Sequence, residues 1–204
     1  MKMNSIQMMA SLATVLAMTA VPCRADDAKT PPGLLAELKQ ECEKPNSPDM
    51  PERMSYLSPT EHVRWRIMTE LGKQKELALP VVRTERAKSE GEYQEMLAIC
   101  LAAMGDADGI TETTNLLLHA QAPAVRVCAA KALRDAKDRQ AIPALKTALH
   151  DPYRRQDGGC VKIGDGMCHP VRVVAGDALG TLGLTRKQIN DIEKEPAQPE
   201  SGRK

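Results

Sequence analysis

The chain predicts an all-α fold, an α/α superhelix built from about four helical hairpins stacked side by side. Three observations predict it. Apolar residues recur with the period of one helix face, and the alternation of a half-buried strand is absent. The same helical pattern returns four times along the chain, as in stacked supersecondary units. The 204 residues include no Phe, one Trp and three Tyr, so the interior must be built from Leu, Ala, Val, Met and Ile. That composition suits short, closely packed helices and argues against an aromatic-rich β-sandwich. The length is enough for one domain with a sizeable core.

The clearest copy runs from Pro123 to Asp151. Val125, Cys128, Ala129, Ala132 and Leu133 fall on one helix face, with Arg126, Lys131 and Arg134 on the other. Residues 135–138 are polar and turn the chain, and the Asp138 carboxylate is placed to cap a second helix. That helix carries Ile142, Leu145, Ala148 and Leu149. Neither helix is long enough to stand alone in water, since isolated helices below ~12–15 residues are marginal, so each must bury its stripe on neighbours. Val171, Val174, Ala175, Ala178, Leu179 and Leu182 repeat the first-helix pattern downstream. Upstream, Met96, Leu97, Cys100, Leu101 and Met104 repeat it, and so do Val63, Ile67, Met68 and Leu71. Aligned on Leu71, Met104, Leu133 and Leu179, the copies lie 33, 29 and 46 residues apart, so the last interval holds an insertion.

The run V-R-x-x-A-x-x-A-L-x-D-x-x-D-x-x-A-I-P-A-L resembles the HEAT-like repeats first noted in phycobilisome lyases. Pro123–Asp151 carries the whole motif and Pro170–Gly183 its first helix. The resemblance spans roughly residues 58–194 and implies an α-solenoid. It implies little about function, because such repeats serve scaffolds, adaptors and a few enzymes.

Residues 1–25 read as a secretory signal: Lys2, an apolar run from Met8 to Val21, then small side chains before a cut after Ala25. The run is too short for a membrane span of ~20 residues. The expected address is therefore the periplasm or the exterior, with no transmembrane segment after cleavage. Residues 26–57 form a leader and a capping helix on which Leu34, Leu35, Leu38 and Cys42 cover the first apolar face, followed by a linker at Pro45–Pro51. The repeat domain, residues 58–194, opens with a Ser58–Glu61 capping box after which Pro59 begins a helix. Its second helix places Leu77, Val81, Val82 and Ala87 inward, with Pro80 early in it. Ser89 and Glu92 offer a box for the second hairpin, and Asp108 a cap for that hairpin's second helix, which carries Ile110, Leu116, Leu117 and Leu118. A glycine-rich loop, 152–169, precedes the fourth hairpin. Thr185 and Gln188 cap its last helix, which turns Ile189 and Ile192 inward, and residues 195–204 form a disordered tail.

Without residues 1–25 the chain carries 26 basic and 27 acidic side chains, a balance that offers no basic surplus for nucleic acid. Cys160 and Cys168, with seven residues between them in the loop, are expected to form a disulfide. With His169 they form an alternative metal set, although zinc cysteines usually stand two to four apart. Cys100 and Cys128 lie on inner faces of successive first helices and read as small buried residues, with a bridge as the lesser alternative. Arg64, Arg126 and Arg172 each stand in the first turn of a helix, where a cation opposes the dipole. A ladder of ion pairs to turn acids such as Asp106, Asp108 and Asp138 would offset that. No catalytic constellation and no cofactor motif can be singled out. The expected function is a scaffold binding a protein partner across its second helices, through Arg83, Thr113, Asn115 and Lys146. The alternatives are a lyase- or chaperone-like enzyme, which a free Cys42 or Cys168 of low pKa would support, and a metal-binding protein.

Overall fold

The computed structural model describes residues 30–44, 59–154 and 167–195. Residues 1–29, 45–58, 155–166 (with Cys160) and 196–204 lie outside the described residues, and with them the expected signal, linker, most of the inserted loop and the tail. Within them stand nine α-helices and no β-strand. Helix α1 (Pro31–Glu43) precedes four hairpins. These are α2 (Pro59–Lys73) with α3 (Lys75–Arg86), α4 (Gly91–Ala103) with α5 (Ala107–His119), α6 (Pro123–Ala136) with α7 (Ile142–Ala148), and α8 (Pro170–Thr181) with α9 (Arg186–Lys194).

The first helices form the spine. Helix α6 lies between α4 and α8, and it also packs on α5 of the preceding hairpin. Helices α4 and α6 are therefore covered on several sides, and their burial exceeds one stripe: Val127, Ala129 and Ala130 are as buried as Cys128 and Leu133. The absence of large aromatics is the condition for this arrangement, since Ala at 98, 102, 129, 130, 132, 175 and 178 lets helices approach closely. Helix α1 packs on the first hairpin and on α4. Thr30 accepts from the Gly33 N–H, and Leu34, Leu35 and Leu38 are buried.

Several local expectations need correction. The cap of α5 is Asp106, whose carboxylate accepts from the Gly109 N–H at 2.8 Å, and Asp108 sits inside the first turn. Asp106 wins because Gly109 must come close to α4: a Cβ built there would lie 2.6 Å from Leu101 Cβ. Ser89 and Glu92 make no capping box. The Ser89 hydroxyl donates back to the Glu85 carbonyl, Glu90 is the N-cap, and Gly91 opens α4 at φ +63. Asp138 caps a short 3-10 turn, Arg139–Ala141, through the Gln140 N–H, and α7 follows that turn. Pro80 lies in the middle of α3, because α3 starts at Lys75. Of the residues expected inside, Val82 is buried, Val81 is half-buried, and Leu77 (67% exposed) and Ala87 face solvent, since α3 turns Ala78 inward with Val82. The Thr185–Gln188 capping box of α9 forms as expected, and Ile189 is buried.

Candidate functional site

The four residues expected to face a partner do not form one free row. Asn115 on α5 and Lys146 on α7 are exposed. Arg83 on α3 is also exposed, but its guanidinium is engaged: Nε donates to Asp106 Oδ2 at 3.0 Å and Nη2 donates to the same oxygen. Thr113 is not outward at all. It is fully buried, and its hydroxyl donates to the Ala98 carbonyl of α4 at 3.2 Å, tying the two helices of one hairpin together. A threonine next to a helix backbone can satisfy its hydroxyl on a neighbouring carbonyl, so polarity alone did not mark it as exposed.

Burial would raise the Asp106 carboxyl. The Gly109 N–H and the Arg83 guanidinium outweigh that and hold it below its usual value. Arg83 and Asp106 thus join the first two hairpins, and Arg86 with Glu112 makes a second link between α3 and α5.

The arginine ladder exists, but its acids are others. Arg64, fully buried, pairs with Glu92 at the start of α4 and donates to the Glu41 carbonyl near the end of α1 at 3.0 Å. Arg126 grips the Asp151 carboxylate through Nε at 2.7 Å and Nη2 at 3.3 Å, and reaches the Ala120 carbonyl at 2.7 Å. Arg172 donates from Nε to the Asp151 carbonyl at 2.7 Å. Asp151 therefore holds two successive first helices, and its Oδ1 also accepts from the Tyr153 N–H. The expected acids fail because Asp106 and Asp138 are occupied as caps, whereas Glu92 and Asp151 lie within reach of Arg64 and Arg126; Arg64, sixth in α2, also lies past the first turn in which it was expected.

Cys42, Cys100 and Cys128 are free thiols, so the Cys100–Cys128 bridge is not formed. Both are buried in the spine, filling space as small apolar groups, and burial pushes Cys100 well above its usual range. Burial also pushes Cys42 up to about 12; Arg64 pulls the other way, and Glu92, Glu41 and Glu43 add to the rise. This is the opposite of the activated thiolate that an enzyme reading through Cys42 needs. Cys168 and His169 are buried at the foot of α8, while Cys160 lies outside the described residues.

Two features were missed. Lys131 on α6 lies over the Trp65 ring of α2, 4.2 Å from its centroid, and links alternate first helices across α4. Burial, with Arg134 nearby, lowers Lys131 to about 8. The second is a groove between α6, α8 and α9, lined by Arg134, Gly176, Asp177, Gly180, Arg186 and Ile189. The Gly176–Gly180 spacing, one turn apart on α8, was its only signal in the chain.

A family model of HEAT repeats matches residues 79–157, from within α3 to just past α7. Among curated proteins and among solved structures, none matches this chain. The match and the row of packed hairpins together define an all-α solenoid of HEAT-like repeats, a class that commonly serves as a protein–protein interaction scaffold. Among the described residues, no helix is long and apolar enough to cross a membrane.

Proposed function

We propose that this protein is an exported scaffold that binds a protein partner across the exposed side of its second helices. The observation that carries the reading is the division of labour in the fold. The first helices are spent on the interior, while α5 and α7 present Asn115 and Lys146 to solvent, and α3 presents Arg83, fixed by Asp106. Fixed charged groups on a rigid frame lose little entropy on binding. Capture of a partner from an exported-protein extract should weaken when Arg83 and Lys146 are replaced together by Ala. Equal capture by that variant and by the parent would remove this face from the proposal.

Export rests on the signal-like residues 1–25 and accords with a Cys160–Cys168 disulfide, which we propose closes the inserted loop. A short closed loop of this kind contributes roughly 2–3 kcal/mol in the chain-entropy model. Alkylation of the unfolded, signal-free chain should modify three cysteines (Cys42, Cys100 and Cys128) before reduction and five after it. Five modified before reduction would refute the bridge and return Cys160, Cys168 and His169 to the metal-binding alternative. The lyase-type kinship suggested by the repeat motif adds no catalytic group to this picture.

A further inference from the structure

The groove at the far end of the stack has features the second-helix face lacks. It holds about 650 Å³ between the end of α6, the outer side of α8 and the start of α9. A further hollow of about 240 Å³ shares Gly176, Asp177, Arg186 and Ile189 with it and continues past Arg172 toward Glu193. Gly180 meets nothing within 4 Å of where a Cβ would stand, so the α8 backbone is open to a close approach. Three guanidiniums from three helices border this channel: Arg134 on α6, Arg172 on α8 and Arg186 on α9.

These arginines are not spent on the fold to the degree of Arg64 or Arg126. Among the described residues Arg134 pairs with Asp135, its neighbour in sequence, through one of its donors. Arg172 uses Nε for the Asp151 carbonyl. Arg186 takes part in none of the ion pairs of the described residues and occupies the first position of α9, where a cation adds to the positive end of the helix dipole. The opposing charges are the exposed Asp177, which lines both hollows, Glu193 at the far end, and Asp135, which takes one donor of Arg134. Charge is therefore nearly balanced, but the guanidiniums keep forked donors that these pairs do not use.

We propose that this channel is a second recognition site and takes an extended acidic segment of a protein partner. Its carboxylates are held by Arg134, Arg172 and Arg186, and Asp177 accepts from a main-chain N–H between them. Guanidinium forks bind carboxylates in pairs of parallel hydrogen bonds, which gives both charge and directional selection. A further hairpin, or a second copy stacked end to end, would instead need the aliphatic face that α6 offers to α8. Glycine and charge replace that face here.

The probe is a random dodecapeptide library displayed on phage and panned against the folded full-length chain. The recovered peptides should carry Asp or Glu at recurring spacing, and their capture should fall as salt is raised. The double variant Arg134→Gln/Arg186→Gln should reduce capture at least about tenfold, a loss of about 1.4 kcal/mol. Its thermal midpoint should stay within a few degrees of the parent's, since Gln keeps part of the half-buried Arg134 stem and Arg186 is exposed. Recovery of no peptide, of peptides without acidic enrichment, or of peptides held equally by the double variant would overturn the proposal. Peptides lost on Arg83→Ala/Lys146→Ala but kept by the arginine double variant would also overturn it, while leaving the second-helix face standing.

Discussion

Replacement of Arg64 should unfasten the capping helix from the stack. Its side chain is fully buried, its guanidinium pairs with Glu92 and donates to the Glu41 carbonyl, and it thereby joins α1, α2 and α4. In Arg64→Met the stem's volume is largely kept, but the Glu41 carbonyl loses its donor and Glu92 its cation. Leaving a buried acceptor unmade costs about 1–3 kcal/mol, and Glu92, a quarter exposed, recovers part of its hydration. About 2–3 kcal/mol is therefore expected for Met. Arg64→Ala also removes two buried methylenes at about 0.8 kcal/mol each, which brings the loss to about 4 kcal/mol. At a urea slope of about 2 kcal/mol/M, the midpoint should fall by about 1–1.5 M for Met and about 2 M for Ala. Arg66→Ala is the control. Its pair with Glu37 joins α2 to α1 only and is largely exposed, where such pairs contribute about 0–1 kcal/mol. Midpoints for Arg64→Ala and Arg66→Ala within 0.5 M of each other, about 1 kcal/mol at that slope, would refute the assignment of Arg64 as the fastener.

Gly109→Ala should lower stability by about 1–3 kcal/mol, because the new methyl meets the Leu101 side chain and the backbone of Leu101 and Ala102; thermal melting within a degree of the parent would contradict that contact. Lys137→Gly should raise stability by about 1 kcal/mol, since Lys137 ends α6 in the left-handed region at φ 55; calorimetry reads the sign. The pH dependence follows from Asp106, whose folded pKa lies below its unfolded value. Its contribution is complete above the unfolded value of 3.8 and is lost as pH falls through the folded one, so acid unfolding of Asp106→Asn should be shallower. Lys131 has the opposite placement: with its pKa lowered to about 8 against 10.5 when unfolded, stability should rise between those values as pH increases, and Lys131→Met should abolish that rise in urea titrations.

The stack was legible because its signal is aliphatic periodicity repeated at hairpin length, and every first-helix residue named in that pattern except Val63 is buried. The capping helix was legible for the same reason, from Leu34, Leu35 and Leu38. Helix starts were less so. Asp106 and Asp108 are equally good caps by type, and only the close approach of Gly109 to α4 selects Asp106. The arginine pattern was visible at Arg64, Arg126 and Arg172, but their partners were not. Glu92 lies 28 residues from Arg64 and Asp151 lies 25 from Arg126, and pairing over that distance is decided by how hairpins lie against each other. Thr113 and Leu77 mark the limit of reading a face from residue type: a buried hydroxyl found a carbonyl, and a leucine was left in water. The terminal groove had almost no signal, because it is made by missing side chains and by arginines from three helices.

The central claim is that neighbouring hairpins share one continuous interior and none holds its shape alone. Native-state hydrogen exchange on the full chain under increasing urea tests it most directly. Amides of α4 and α6, which pack on each other and on α5, should exchange slowest and lose protection at one common urea concentration. Separate midpoints for the α4–α5 and α6–α7 hairpins would show two independent units and contradict the account.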